Sequence, residues 1–341
     1  MENVAIKEYF LNLTPGKLNG LRAITDEEGK FKVLALDQSN SFRKSLSALF
    51  AKNNNPHEPS YEEIRDAKLE ITSKLSLHAT AVLLDVNYGL AQAIYNRVIN
   101  RESALIGRLE ASRDAGTSAE LEPGWSVAGI KKIGCSAVKL LVYMDITDEE
   151  YTAKQLDFVK QISQDCQKED ILLMVEELTF SHEGEDKNSP QFIFRKTENI
   201  IQSAKLLGPF CDILKLEFVG NDRLEELNSV CVRPWVLLSA GQPYNDFVLQ
   251  VKSAMEAGAS GIMAGRAIFN DYFTLSDESA KKNFLEGLAS SRMAELNRIV
   301  DESAVSWMQK AGITNEQLGQ KITQGWYKNT TSESVSTTGE Y

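Results

Sequence analysis

The chain has 341 residues, 43% hydrophobic and 25% charged, which is ordinary for a soluble globular protein and long enough for one large domain with a full core. Its 37 basic and 48 acidic side chains give a net charge of −11, which argues against non-specific binding to nucleic acid or an anionic membrane and leaves small anionic ligands open. No apolar run reaches the roughly 18 residues of a membrane span. The start, Met1-Glu2-Asn3-Val4-Ala5-Ile6-Lys7-Glu8, lacks the basic and apolar regions of a secretory signal. Cys135, Cys166, Cys211 and Cys231 show no CxxC spacing, and His57, His78 and His182 are scattered, so no zinc motif is present and a reduced, cytoplasmic protein is expected.

Residues 1–30 read as a helical prelude punctuated by Pro15-Gly16. From there short apolar runs alternate with amphipathic segments. The predicted strands are 32–36, 81–84, 104–107, 137–143, 172–178, 213–218, 235–238 and 261–264. Clear helical periodicity falls at 61–75, 150–168, 195–207 and 245–257. Residues 51–60 are a polar, proline-containing loop, and 182–190 a charged loop after the fifth strand that is a candidate lid. Helices follow over 277–324, and a Ser/Thr-rich tail at 326–341 is expected to be disordered. Eight strands in βα alternation predict an α/β protein with the (β/α)8, or TIM-barrel, architecture over 31–325. An open doubly wound sheet is the alternative, but no GxGxxG follows the first strand.

Three charged residues interrupt strands that otherwise read as buried: Lys139 in Ala137-Val138-Lys139-Leu140-Leu141, Glu176 in Leu173-Met174-Val175-Glu176-Glu177, and Lys215 in Ile213-Leu214-Lys215-Leu216. Burying an ammonium or a carboxylate is costly, so such residues point to a preorganised polar site. Barrels place their chemistry at the carboxyl ends of strands. Reading those ends in order gives Asp37-Gln38, Asp85, Lys139, Glu176, Lys215 with Glu217, Ser239-Ala240-Gly241 and Gly265-Arg266. A strand-ending aspartate such as Asp85 also serves as a loop anchor, while Glu177 and Glu217 read as outward-facing alternation partners or a structural ion pair. The glycines after the seventh and eighth strands allow backbone N–H groups to approach an anion, and a following helix N-terminus and the Arg266 guanidinium would add to its binding. A lysine nucleophile reacts as the neutral amine, a form that desolvation and a neighbouring cation such as Lys139 would favour at Lys215, with Glu176 shuttling protons. An imine on Lys215 is the electron sink that cleavage of an aldol bond requires, and it needs no metal or other cofactor.

The segments Leu34-Ala35-Leu36-Asp37-Gln38, Leu83-Leu84-Asp85-Val86-Asn87-Tyr88-Gly89-Leu90, Trp125-Ser126-Val127, Asp212-Ile213-Leu214-Lys215-Leu216-Glu217, Leu238-Ser239-Ala240-Gly241 and Gly258-Ala259-Ser260-Gly261-Ile262-Met263-Ala264-Gly265-Arg266-Ala267 together resemble the class I tagatose-1,6-bisphosphate aldolase family, in order, over about residues 30–305. The resemblance implies a (β/α)8 aldolase with Lys215 as the Schiff-base lysine, Glu176 as the proton-transfer carboxylate, and Lys139 and Asp37 as a supporting charged pair. Ser239, Gly241, Gly265 and Arg266 would hold a substrate phosphate, and Gln38 would touch the substrate, a phosphorylated ketose cleaved to dihydroxyacetone phosphate and a three-carbon aldehyde. The chain departs from that family at Gln242-Pro243 and in a shorter loop at 220–232. Parts of it look as close to the sister aldolases of 6-deoxy-6-sulfofructose-1-phosphate, in which a C6 anion pocket differs; Arg195, Lys196 and the 182–190 loop are candidates for that pocket. A non-catalytic sugar-phosphate-binding regulator and a barrel lyase or isomerase using Lys215 only as a base are the rival readings. No nucleic-acid or membrane partner is expected, and a homo-oligomer stays open.

Overall fold

The computed structural model describes residues 2–320, 322, 324 and 325; the tail at 326–341 lies outside them. Eight strands, β1 (Phe31–Leu36), β2 (Ala81–Leu84), β3 (Ala104–Arg108), β4 (Ala137–Met144), β5 (Leu172–Thr179), β6 (Ile213–Leu216), β7 (Trp235–Leu238) and β8 (Gly261–Ala264), form a closed parallel barrel in sequence order. Two helices, α1 (Glu2–Leu11) and α2 (Pro15–Ala23), precede it. The helices that pack around it include α3 (Asn40–Lys52), α4 (Tyr61–Leu75), α5 (Leu90–Tyr95), α6 (Val127–Ile133), α7 (Glu149–Lys168), α8 (Pro190–Leu207), α9 (Leu224–Val230) and α10 (Tyr244–Glu256). α11 (Arg266–Phe269) follows β8 as a single turn. The segment 220–232, read from the sequence as a loop, therefore holds a helix, α9, whose Leu224 and Leu227 are buried one turn apart.

Side chains alternate across each strand, and the two faces meet different partners. Leu34, Leu36, Val138, Leu140, Leu173, Val175, Leu214 and Leu216 join the core between barrel and helices. Val33, Ala35, Ile106, Ala137, Leu172, Met174, Ile213 and Met263 fill the barrel interior. The same interior cluster includes Phe10, Leu21, Ile24 and Trp307, with Phe10 and Trp307 stacked at 5.5 Å between ring centroids. The N-terminal helices thus close the amino end of the barrel with apolar surface. Extending the inward register by two residues from Ala35, Ala137, Met174 and Ile213 reaches Asp37, Lys139, Glu176 and Lys215. The interior changes from apolar to ionic along the barrel axis.

Glu177 falls on the opposite register and Glu217 lies just past the end of β6; both are buried beneath α8, away from solvent. They are not partners: Glu217 pairs with Lys196 at 2.6 Å, while Glu177 accepts from Asn199 Nδ2 at 3.0 Å and Thr179 Oγ1 at 3.2 Å. Burial, then the Glu217 charge, pushes the Glu177 carboxyl up from its usual 4.5 to about 8. Between those pH values the folded state holds a proton that the unfolded chain releases, so this group loses stability as pH rises. Glu177→Gln keeps an acceptor for Asn199 and removes that dependence. Its melting temperature is expected to exceed the wild-type value by a few degrees at pH 8 and by little at pH 5; a gain independent of pH would show that Glu177 is ionised throughout.

Candidate active site

A cavity of about 320 Å³ opens at the carboxyl end of the barrel, and Asp37, Gln38, Lys139, Glu176, Lys215, Ser239, Gly265 and Arg266 all line it. Its size is within the range of small-molecule sites. At its base Lys139 is 1% exposed and has three carboxylates around its ammonium: Asp37 at 2.8 Å, Glu110 at 2.7 Å and Glu176 at 2.7 Å. Burial opposes the charge on Lys139, but Asp37, Glu110 and Glu176 outweigh it and raise its pKa, so Lys139 is a fixed cation. Lys215 pairs with Glu176 at 2.9 Å, and the same Glu176 oxygen, Oε2, faces both ammonium groups. Burial pushes the carboxyls of Asp37 and Glu176 up, yet Lys139 and Lys215 prevail and hold both below their ordinary range.

Glu110 is the member that the sequence reading missed. Its Oε2 accepts from Leu141 N at 3.1 Å, which fixes the carboxylate against β4 while Oε1 meets Lys139. Arg108, Arg113 and Tyr143 also line the cavity without having been singled out. The predicted third strand stopped at Gly107; one further residue in the inward register of Ile106 would have placed Arg108 at the mouth.

Across the cavity, Ser239 and Gly265 meet where β7 and β8 end, with Gly265 N donating to Ser239 Oγ at 3.4 Å. A Cβ on Gly265 would sit 2.4 Å from the Ala35 carbonyl oxygen, so only glycine fits there. Ala240 and Gly241 both adopt left-handed backbone, at φ 48° and 78°. The Arg266 guanidinium carbon would lie 3.1 Å from a Cβ at Gly241, so Gly241 makes the space in which Arg266 stands. Gly241 shapes the loop without itself lining the cavity. The helix expected after β8 is only one turn long, so the guanidinium and the loop, rather than a long helix dipole, give this side its positive character.

Other expected members are absent from the mouth. Asp85 is fully buried, ion-paired to Lys68 of α4, and accepts from Tyr88 N at 2.9 Å: it is a loop anchor. Arg195 is taken up by Glu185 at 2.5 Å and the Phe180 carbonyl at 2.9 Å, and Lys196 by Glu217. Within the 182–190 loop His182 Nε2 binds Asp145 at 2.6 Å, and none of those residues lines the cavity.

Among the described residues no helix is long and apolar enough to cross a membrane. A sequence profile of the DeoC/LacD aldolases matches residues 32–271. A tagatose 1,6-diphosphate aldolase of Streptococcus agalactiae is 26% identical over 333 residues, covering 88% of this chain and 100% of that protein. One from Staphylococcus aureus is 26% identical over 327 residues, covering 86% and 98%. Among solved structures, a Schiff-base-forming fructose-1,6-bisphosphate aldolase aligns with a TM-score of 0.53 at 20% identity, covering 81% of this chain and 99% of that one. An archaeal fructose-1,6-bisphosphate aldolase aligns with a TM-score of 0.55 at 18% identity, with the same coverage. These two share the barrel fold. The match over most of the barrel establishes that the chain belongs to the DeoC/LacD family of aldolases.

Proposed function

We propose that this protein is a class I aldolase that cleaves a phosphorylated ketohexose, tagatose 1,6-bisphosphate or a close relative, into dihydroxyacetone phosphate and a three-carbon aldehyde, with Lys215 as the nucleophile. The observation that carries this reading is the unequal treatment of the two buried lysines. Lys139 is enclosed by three carboxylates and stays charged, whereas Lys215 has one carboxylate partner among the described residues and borders the cavity. The tagatose 1,6-diphosphate aldolases to which the chain is similar support the substrate class.

The amine of Lys215 adds to the C2 carbonyl, and Glu176, 2.9 Å away, takes the proton that the nitrogen gives up. Returned to the carbinolamine oxygen, that proton lets water leave and the iminium form. A base removes the C4 hydroxyl proton, the C3–C4 electron pair moves into the iminium, and the aldehyde departs from the resulting enamine. Asp37, Glu110 and Glu176 are the carboxylates at hand for the proton transfers. Protonation at C3 and addition of water to the iminium then release dihydroxyacetone phosphate and regenerate Lys215. The iminium serves as the electron sink, so the reaction so drawn uses no metal. Lys139 keeps the neighbouring carboxylates ionised and in place throughout.

The test is to incubate the protein with dihydroxyacetone phosphate and borohydride and map the product by peptide mass spectrometry. A reduced adduct on Lys215 is expected. A folded protein that binds the phosphate and yields no adduct would favour a binding protein, and an adduct on another lysine would move the nucleophile.

A further inference from the structure

At the amino end of the barrel, remote from the candidate active site, a second cavity of about 500 Å³ lies between α1 and the short helix Trp307–Ala311. Lys7, Glu8 and Leu11 line it from α1, and Lys310, Ala311 and Gly312 from the other side. Lys310 is half-buried there. Its Nζ donates to two oxygens of one residue of α9, the Asn228 carbonyl at 3.1 Å and Asn228 Oδ1 at 2.7 Å. Asn228 is itself fixed: its Oδ1 also accepts from Trp235 Nε1 at 3.1 Å, and a Cβ on Gly258 would stand 2.6 Å from its Nδ2. No carboxylate pairs with Lys310 among the described residues. Burial draws its amine below the ordinary lysine range, and the Cys231 thiol acts in the opposite direction without offsetting it. Burial also pushes that thiol up to about 12, so Cys231 is neutral and no counter-ion. The hydrogen bonds suit an uncharged amine. An ammonium has three N–H donors and would leave one without a protein partner, whereas an amine has two, both taken by Asn228, and keeps its lone pair free. Lys68, which burial also draws down, is by contrast fully buried and ion-paired to Asp85.

We infer that Lys310 is an acylation site that takes a short acyl group from an acyl phosphate, with Lys7 holding the phosphate that leaves. The amine attacks the acyl carbon and the C–N bond forms. The C–O bond to phosphate breaks with its electron pair on the phosphate oxygen, and the proton lost by nitrogen goes to that phosphate. Lys7 lines the same cavity and has no carboxylate partner among the described residues, so its charge is available to an anion. Leu11, Ala311 and Gly312 leave apolar space for an acetyl-sized group. The product amide retains one N–H. The modification therefore removes the charge and one of the two hydrogen bonds that tie the short helix to α9. Being at the other end of the barrel from Lys215, the site does not depend on the aldolase reading.

The test follows acetylation of the folded full-length protein site by site, by peptide mass spectrometry, with acetyl phosphate and separately with a neutral acetyl thioester. The exposed Lys132, Lys168 and Lys252 serve as internal references. Lys310 is expected to acquire acetyl from acetyl phosphate at least about fivefold faster than any of the three, because burial favours its neutral form. Asn228→Asp sets a carboxylate against the amine and should hold it as the ammonium. Lys310 should then fall to the reference rate while the references stay unchanged. Lys7→Gln should slow the acetyl phosphate reaction at Lys310 by about threefold or more, through loss of the phosphate contact, and leave the thioester reaction as it was. Circular dichroism checks that both variants are folded. A wild-type Lys310 no faster than the references overturns the site, and that comparison decides it alone should Asn228→Asp fail to fold. An undiminished rate in folded Asn228→Asp overturns it equally. Equal effects of Lys7→Gln on both donors, or none on either, overturn the acyl phosphate as the donor.

Discussion

Lys215→Met is expected to reduce cleavage of the ketose phosphate by at least about 10⁴-fold, the scale of losing a covalent nucleophile, and to abolish the borohydride adduct. The reason is that no other amine can take over. Lys139 is within reach of the same Glu176 oxygen, but its nitrogen faces Asp37, Glu110 and Glu176 and is held protonated by them. The variant should nevertheless fold, because Glu176 keeps Lys139 as a counter-ion at 2.7 Å and the methionine approximates the lysine stem. Circular dichroism and thermal unfolding close to wild type, combined with loss of dihydroxyacetone phosphate release, would place the effect in chemistry. Residual cleavage above about 1% of wild type would make Lys215 a base or a binding group at most.

The barrel was legible because buried parallel strands appear as short continuous apolar runs. Each of the eight was found, with β2, β7 and β8 matching at both ends. The ionic residues were legible for the same reason: Lys139, Glu176 and Lys215 stand out only against such a background. What the sequence does not carry is which charges converge. Alternation gives the parity of a residue, so Glu177 could be separated from Glu176, whereas Glu217 shares the parity of Lys215 and leaves the barrel interior only because β6 ends at Leu216. It does not tell that Asp85 turns to Lys68, or that Glu110, past the end of a short third strand, reaches across to Lys139. That omission matters electrostatically. Asp37, Glu176, Lys139 and Lys215 balance two negative against two positive charges, and Glu110 makes the count three against two. Lys139 was read as a cation that repels charge on Lys215; the geometry makes it a counter-ion whose charge is matched locally by three carboxylates. Arg108 and Arg113, which line the cavity, were hidden by the same weak strand, and Arg195 and Lys196, more conspicuous in the sequence, are occupied by Glu185 and Glu217.

Lys139→Met carries the opposite expectation to Lys215→Met: it should damage folding before chemistry can be examined. Removing the ammonium leaves Asp37, Glu110 and Glu176, 5%, 3% and 6% exposed, without the cation that all three share. Deleting one partner of a buried pair costs about 3–5 kcal/mol because the remaining charge is uncompensated, and here three carboxylates lose the same partner. Lys215 can relieve Glu176 but is paired with no other carboxylate among the described residues. The pH dependence identifies the cause. In wild type, Asp37 and Glu176 titrate below their unfolded values. The stability they contribute is therefore present above the ordinary carboxylate range and lost as pH falls through the lowered folded values. Without Lys139 that depression weakens and burial dominates, so a folded carboxylate takes up a proton more readily than an unfolded one. The variant should consequently be most deficient near pH 7 to 8 and recover toward wild type near pH 5. A double variant, Lys139→Met with Glu110→Gln, removes one of the surplus charges and should regain part of the loss at neutral pH without regaining full activity. A deficit equal at pH 5 and pH 8, or no rescue by Glu110→Gln, would mean that Lys139 acts through the packing of its stem and not as the counter-ion of the carboxylate cluster.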